Sequence, residues 1–239
     1  MKPTVATFRP DDERSREAAA LLEALGVEPV ADPMLAVAPT GARAREDADY
    51  VVLTSKTGVE LAAEAGFSPD GAVCAIGEST AGSLREHGYT VEVVPEEFSS
   101  AGLVAALRDA VVGVRVEVAR SDHGSDVLLD GLQDAGAYVH ETVLYELTRP
   151  VGSGESAALA ADGLLDAALF TSSLTVENFL DAAAERDARE AALAGIDDAV
   201  VGCIGTPTRE TAEDAGIPVD VVPGTADFEA LARAVVERV

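Results

Sequence analysis

Short apolar runs alternate with longer amphipathic stretches along most of the chain. The runs are rich in Val, Ala, Leu and Ile, a composition typical of strands that are buried on both faces of a sheet. The stretches between them carry apolar residues three or four positions apart, as in Leu103, Leu107 and Val111, which predicts helices with one buried face. This alternation indicates an α/β fold with parallel sheets. The predicted strands include Val5–Phe8, Tyr50–Leu53, Ala72–Ile76, Val114–Ala119, Ala167–Phe170 and Ala199–Ile204.

Two segments of the chain repeat one another. Ile76–Pro95 and Ile204–Pro223 are 128 residues apart and are identical at eight of twenty positions. Each ends a strand on Ile-Gly, places a threonine three positions after that glycine (Thr80, Thr208), continues as a short helix, and resumes as a strand ending in Val-Val-Pro. A repeat of this kind favours two domains in a chain of 239 residues.

The sequence pattern is compatible with two arrangements of the two domains. Each half carries five strand signals with helices between them, the count of a flavodoxin-like sheet with strand order 2-1-3-4-5. The simplest arrangement is a tandem pair divided near Gly113. Alternatively, the long extended stretches Val30–Ala38 and Tyr138–Leu147 are crossovers that carry the chain out of one domain and back. The second half also contains a predicted long helical region, Val176–Ala194.

The charge balance narrows the possible partners. The chain has 43 acidic and 17 basic residues, a net charge of −26, and the acids are spread over the predicted exposed faces. We interpret this as adaptation to a salt-rich cytosol, because molar salt screens the self-repulsion of such a protein. The balance disfavours nucleic-acid and acidic-membrane partners, since both require a basic surface. A membrane span and a signal segment are not expected either, and we predict a cytoplasmic location.

The sequence offers no pattern for a metal or a cofactor. Cys74 and Cys203 stand outside any CxxC or Cys/His cluster, so we interpret both as buried thiols. His87, His123 and His140 are scattered and are expected on the surface or on strands. Neither GxGxxG nor GxxxxGK[ST] follows a strand, and a nucleophile elbow is missing. Any reaction should therefore depend on positioning and hydrogen bonding.

Hydroxyl residues, glycines and a few of the cations follow the predicted strands. Because ligands of open parallel sheets bind beyond the carboxyl ends of the strands, these residues form a candidate site for anions such as carboxylates. Some of the hydroxyl residues have the alternative role of a simple helix N-cap, namely Ser55, Thr80, Ser173 and Thr208. The cations could instead solvate an acidic surface. The candidate binding residues are Arg9, Thr54, Ser55, Lys56, Gly77, Thr80, Arg120, Ser121, Thr171, Ser172, Ser173, Gly205, Thr206 and Thr208.

Five short motifs, spread over essentially the whole chain, together resemble the uroporphyrinogen-III synthase family of tetrapyrrole biosynthesis. Each motif is weak alone, and their shared order makes the resemblance specific. They are Thr54-Ser55-Lys56-Thr57-Gly58-Val59, the segment Gly77–Thr80 with Gly88 and Val93-Val94-Pro95, the segment Val143-Leu144-Tyr145-Glu146, the turn Phe170-Thr171-Ser172-Ser173, and the segment Cys203–Thr208.

The resemblance implies a cofactor-free lyase on the route to heme and cobalamin. Such an enzyme cyclises hydroxymethylbilane to uroporphyrinogen III with inversion of the last pyrrole ring, by dehydration through a spiro intermediate in an interdomain cleft. The resemblance also implies two flavodoxin-like domains with parallel five-stranded sheets and selects the crossover arrangement. The implied domains are residues 1–34 with 148–239 and residues 38–144, and the implied linkers are residues 30–38 and 138–147.

The resemblance assigns roles to single residues and to partners. Tyr145 matches the tyrosine that donates a proton to the leaving hydroxymethyl oxygen, although it could instead be a packed aromatic at a strand end. Thr80, Thr208 and Ser173 match hydroxyl positions that line the cleft. The implied substrate is a linear tetrapyrrole octacarboxylate, hydroxymethylbilane synthase is a candidate partner, and a monomer is expected. The alternative function is a non-enzymatic two-domain module that binds a small anion.

Overall fold

The computed structural model describes residues 2–239, which form two compact units. The terminal unit contains the residues up to Ala36 together with Thr148–Val239, and the central unit contains Val37–Leu147. The chain therefore passes from one unit to the other twice. None of the helices within residues 2–239 has the length and apolar character that crossing a membrane requires.

Residues 2–239 contain ten strands and ten helices. The strands are β1 (Thr4–Thr7), β2 (Glu28–Ala31), β3 (Ala36–Pro39), β4 (Tyr50–Leu53), β5 (Ala72–Ala75), β6 (Val91–Val93), β7 (Arg115–Ser121), β8 (Tyr138–Thr148), β9 (Ala167–Phe170) and β10 (Val200–Cys203). The helices are α1 (Glu13–Ala24), α2 (Lys56–Glu64), α3 (Glu78–Glu86), α4 (Ser100–Leu107), α5 (Asp126–Asp134), α6 (Glu155–Ala161), α7 (Ser173–Ala184), α8 (Arg189–Asp197), α9 (Thr206–Asp214) and α10 (Phe228–Val236).

Each unit is built on one mostly parallel sheet, so the predicted α/β class is confirmed. The terminal sheet has the order β10-β9-β1-β2, and the central sheet has the order β3-β8-β7-β4-β5-β6. Neighbours on one strand belong to different apolar clusters, as Val5 and Ala6 do on β1 and Val51 and Val52 do on β4. Both faces of each sheet are therefore covered, which explains why the strands are continuous apolar runs.

The strand counts differ from the predicted five in each sheet. In the terminal unit the expected fifth strand is reduced to one bridge between Gly202 and Val221. The reason is local: the Asp220 carboxylate accepts the Val201 N–H at 2.8 Å, in the position where a ladder would supply a backbone carbonyl. In the central unit β3 adds a sixth strand beside β8.

The two stretches suggested as crossovers, residues 30–38 and 138–147, are strands of the sheets. The whole of the second stretch lies in β8, whose residues Tyr138 to Tyr145 pair with β7. The first stretch contains the end of β2 in the terminal sheet and most of β3 in the central sheet. The predicted helical region Val176–Ala194 is also divided, because Asp187 has a φ of 54° and ends the helical geometry between α7 and α8.

A buried carboxylate connects the two chain segments of the terminal unit. Asp32 is 3% exposed and accepts hydrogen bonds from the Gly154 N–H at 2.8 Å and the Ser156 N–H at 2.9 Å. The Ser156 hydroxyl donates to the same carboxylate at 2.5 Å. These bonds satisfy the first turn of α6 and tie the segment that contains β2 to the second half of the chain.

Candidate functional site

Helices α3 and α9, which directly follow β5 and β10, each begin at a glycine. Gly77 and Gly205 have no side chain to accept a hydrogen bond, and within residues 2–239 no side-chain cap bond reaches either helix start. Helices α2 and α7 also follow strands, but their first turns are capped by the hydroxyls of Ser55 and Ser172. The first-turn N–H groups of α3 and α9 are therefore available to an anion, whose charge the helix dipole also favours.

The two uncapped helix starts differ in charge and in donors. In α3 the first residue is Glu78, whose carboxylate accepts a hydrogen bond from Arg85 at 2.5 Å. In α9 the first residue is Thr206, and Pro207 follows it without an N–H group. Helix α3 therefore offers one more backbone donor, while α9 lacks the acidic side chain at its start.

The repeated threonines lie inside these helices. Thr80 and Thr208 are each the third residue of their helix and are 5% and 4% exposed, so the N-cap alternative is wrong for both. That alternative is confirmed for Ser55, which accepts the Gly58 N–H at 2.9 Å. Ser173 is the first residue of α7 and is not its cap.

Tyr145 and Ser55 meet at the carboxyl end of the central sheet. The tyrosine lies on β8, opposite Ser121 of β7, and is 6% exposed. Its hydroxyl donates to Ser55 Oγ at 2.9 Å. Since Ser55 Oγ also accepts the Gly58 N–H, its own hydrogen is left to donate to a further group. The sequence singled out both residues, but the structure supplies their contact.

Two of the predicted cationic side chains keep their charge available to a ligand. Arg9 follows β1 and lies over the Phe228 ring, with the guanidinium carbon 4.8 Å from the ring centroid. Burial, and after it the neighbouring Arg14, lowers the pKa of Arg9, which still remains protonated at neutral pH. Lys56 is the exposed first residue of α2, and among residues 2–239 it has no ion-pair partner.

The prediction that Arg120 binds a ligand is corrected, because its guanidinium already contacts groups of the protein itself. The residue is 3% exposed, and its Nε donates to Glu141 at 2.5 Å while its Nη1 donates to the Ser125 carbonyl at 2.6 Å. Asp126 lies 3.6 Å from the remaining nitrogen. We therefore leave Arg120 out of the candidate site, while its neighbour Ser121 stays half-buried at the end of β7.

A hydroxyl cluster joins the starts of α7 and α9 in the terminal unit. Ser173 Oγ donates to the Pro207 carbonyl at 3.3 Å, and Thr211 Oγ1 donates to Ser173 Oγ at 2.8 Å. Thr211 was not singled out from the sequence, because it lies one turn into α9 and away from the strand end. Thr171 and Ser172 are half-buried beside this cluster, and Thr54 is half-buried at the corresponding place in the central unit.

The two cysteines do not supply a thiolate nucleophile, and the described residues do not supply a cluster of metal ligands. Cys74 and Cys203 are free and buried, as predicted, and burial raises the pKa of both thiols to about 12. Neither is therefore a thiolate at neutral pH. In the described part of the chain no three His, Cys, Asp or Glu side chains come close enough to hold a metal ion.

A cavity of about 770 Å³ in the central unit lies away from these groups. It is lined by the segment that leads into β4 and by the amino ends of β7 and β8, the opposite edge of the sheet from Tyr145. Its wall includes the buried Glu117, whose Oε2 is 2.7 Å from His140 Nδ1. Volume alone would select this cavity, but the chemistry of the strand ends selects the other edge.

Comparison with known proteins identifies the family of the chain. The family model described as uroporphyrinogen-III synthase HemD matches residues 16–233. A protein of Methanothermobacter thermautotrophicus whose name gives the same activity is 34% identical over 230 residues, which cover 89% of this chain and 90% of that protein. The uroporphyrinogen-III synthase of Chlorobaculum parvum is 27% identical over 168 residues, covering 69% of this chain and 65% of that protein.

Solved structures agree in fold. A crystal structure of a mutant uroporphyrinogen III synthase from the extremely thermophilic bacterium Thermus thermophilus matches with a TM-score of 0.69 and 18% identity, covering 97% of this chain and 96% of that one. The crystal structure of uroporphyrinogen-III synthetase from Helicobacter pylori matches with a TM-score of 0.67 and 15% identity, over the full length of both chains. At these identities the two structures support the architecture alone.

Proposed function

Because this chain belongs to the uroporphyrinogen-III synthase family, we propose that it binds the carboxylates of its substrate at the uncapped helix starts and that Tyr145 donates the proton for cyclisation. As a member of the family, the chain is a lyase that cyclises hydroxymethylbilane, a linear tetrapyrrole, to uroporphyrinogen III. The proposal concerns the residues that perform this reaction.

The observation that carries the proposal is the pair of glycine-started helices, α3 and α9. Among strand-following helices of residues 2–239, these two offer first-turn N–H groups that no side chain caps. The substrate is an octacarboxylate, and carboxylates accept strong hydrogen bonds from backbone N–H groups at a helix start. Arg9 places a positive charge at the carboxyl end of β1, and Lys56 places one at the carboxyl end of β4, and each of these charges favours a carboxylate in its own unit.

Tyr145 supplies the acid chemistry in this proposal. Loss of the hydroxymethyl oxygen requires that it accept a proton, after which the C–O bond breaks and water leaves. In this proposal the Tyr145 hydroxyl protonates this oxygen directly or through Ser55, whose Oγ accepts a hydrogen bond from the tyrosine at 2.9 Å and has its own hydrogen to donate. The chain's remaining task is to hold the cation so formed in the shape that leads to the spiro intermediate and inverts the last ring.

Product analysis tests the function directly. Purified protein in high salt is mixed with freshly prepared hydroxymethylbilane, and the products are oxidised and resolved by chromatography. We expect isomer III, because without the enzyme the substrate closes to isomer I. Isomer I alone, formed at the rate of the protein-free control, would contradict the proposal and favour a module that only binds an anion.

Salt dependence is a second expected outcome. At a net charge of −26 the protein repels an octa-anion, and the Debye length falls from about 10 Å at 0.1 M salt to about 3 Å at 1 M. We expect KM to fall at least about tenfold between dilute buffer and molar KCl, since screening removes this repulsion. Circular dichroism at the same salt concentrations separates repulsion from unfolding. Activity that peaks in dilute buffer would contradict the salt-adaptation hypothesis.

Three expectations about the surroundings of the enzyme stay predictions. They are its monomeric state, its cytoplasmic location and a contact with hydroxymethylbilane synthase. The predicted domain boundaries, at residues 34–38 and 144–148, likewise stay a proposal.

A further inference from the structure

Phe98 is the most exposed phenylalanine among residues 2–239. Its exposed fraction is 65%, whereas Phe8, Phe170 and Phe179 are fully buried and Phe67 is 7% exposed. The sequence pattern gave no reason to single it out, because it lies in the acidic loop between β6 and α4. An isolated exposed apolar side chain is common on proteins, so exposure alone assigns no role. The surroundings of the ring supply the argument.

The Phe98 ring lies against the uncapped start of α3. A Cβ atom built on Gly77 would be 3.2 Å from Phe98 Cβ and 3.3 Å from its Cγ, so the ring occupies the space that a side chain at residue 77 would fill. An exposed aromatic ring is therefore next to the residue at which α3 begins, whose first-turn N–H groups we assign to a substrate carboxylate.

The loop holds Phe98 in place. The next residue, Ser99, caps α4 and accepts the Gly102 N–H at 3.0 Å. Its own N–H donates to the Glu97 carbonyl at 2.7 Å, and its hydroxyl donates to the Glu97 carboxylate at 2.8 Å. Both neighbours of Phe98 are thus held by hydrogen bonds, which restrain the backbone on either side of the ring.

The other copy of the internal repeat lacks this ring. With the same offset of 128 residues, Ser99 corresponds to Asp227, the cap of α10, and Phe98 corresponds to Ala226. A Cβ built on Gly205 would meet only the Pro207 ring, at 3.9 Å. In both copies a helix begins at a glycine, and the next helix begins at a capping side chain. The copies differ in the residue just before that cap, which is Phe98 in one and Ala226 in the other.

We propose that Phe98 packs on a pyrrole ring of the substrate while a carboxylate of that ring accepts hydrogen bonds from the start of α3. This inference rests on the proposed function. A tetrapyrrole consists of planar aromatic rings that carry carboxylate side chains, so an aromatic face next to free N–H groups matches one ring with its substituent. Because the equivalent of Phe98 in the other copy is Ala226, this aromatic contact belongs to the start of α3 and not to the start of α9.

Kinetics of three Phe98 variants test this role. We expect Phe98→Ala to raise KM by about 5- to 10-fold and to lower the ratio of isomer III to isomer I, with kcat changed less than about twofold. Phe98→Tyr, which keeps the ring, should stay within about twofold of the wild type in KM, and Phe98→Leu should resemble the alanine variant. Val112→Ala is the matched control, since Val112 is also 65% exposed in the central unit but lies before β7.

A binding measurement gives a readout that a structural role would not change. The chain has no tryptophan, so Phe98→Trp introduces a single tryptophan, which can be excited selectively over the four tyrosines. Added uroporphyrinogen III should quench this fluorophore with a saturable curve, whereas the Val112→Trp variant should show only the inner-filter loss.

Two results would overturn this inference and leave the proposed function standing, and a third would overturn both. An unchanged KM in Phe98→Ala with isomer III formed normally would overturn it alone, as would equal quenching of the two tryptophan variants. Absence of isomer III from the wild type would overturn the proposed function, and with it this inference.

Discussion

Substitution of Tyr145 by phenylalanine is expected to lower the rate of isomer III formation by at least about 100-fold. The variant keeps the ring, which is 6% exposed and packed in the apolar cluster of the central unit, and loses only the hydroxyl that donates to Ser55. Without that proton donor the hydroxymethyl oxygen leaves slowly, and isomer I accumulates at the uncatalysed rate. Steady-state kinetics with isomer analysis measures both effects.

The matched control for this prediction is Tyr89→Phe. Tyr89 belongs to the same unit and its hydroxyl donates to the Phe67 carbonyl at 2.8 Å, but it lies before β6 and away from the carboxyl ends of the strands. Both variants should lose about 1 kcal/mol of unfolding free energy, since each loses one hydrogen bond. Only the Tyr145 variant should lose activity. An isomer III rate within about threefold of the wild type for Tyr145→Phe would remove Tyr145 from the mechanism.

Replacement of Gly195 by alanine should destabilise the terminal unit by about 3 kcal/mol or more. A Cβ atom on Gly195 of α8 would lie 1.7 Å from the Ala160 carbonyl oxygen of α6, a backbone atom that cannot rotate away. That carbonyl also accepts the Gly163 N–H at 3.0 Å, so separation of the helices would strain the end of α6 as well. Thermal unfolding in high salt should show a midpoint lowered by roughly 10 °C.

Gly82→Ala is the matched control for Gly195→Ala, and we expect it to stabilise the protein. Gly82 is also interior to a nine-residue helix, α3, and a Cβ there would meet nothing within 4 Å. We expect a gain of about 0.5–1 kcal/mol, because alanine loses less backbone entropy than glycine in a helix. If both variants shift stability by the same amount and in the same direction, the close crossing of α6 and α8 does not constrain the fold.

Local periodicity accounts for the parts of the fold that the sequence predicted. Strands such as Val5–Phe8 and Tyr50–Leu53 are found within a residue or so because a run buried on both faces needs no distant information. The break at Asp187 and the loss of the fifth terminal strand were missed. The first depends on one residue with a φ of 54°, and the second on a side chain, that of Asp220, replacing a backbone acceptor.

The candidate site, too, was predicted from the sequence only in part. Arg9 and Arg120 both follow the first strand of their halves, and nothing in their spacing separates them. Only packing shows that Arg120 is held by Glu141 and Ser125 while Arg9 lies over an aromatic ring. Similarly, the two repeated threonines have the spacing of helix caps, and the structure buries them in the third helical position.

By itself, the sequence determined the α/β alternation, the internal repeat, the family and the edge of the sheets at which polar residues collect, because each depends on local patterns, on short motifs in a fixed order along the chain, or on composition. Tertiary structure decided which of those residues can act. Tyr145 and Ser55 are 90 residues apart and meet because β8 and the start of α2 share one end of the central sheet. Distances across that edge depend on how strands pair and helices pack, and no local pattern encodes them.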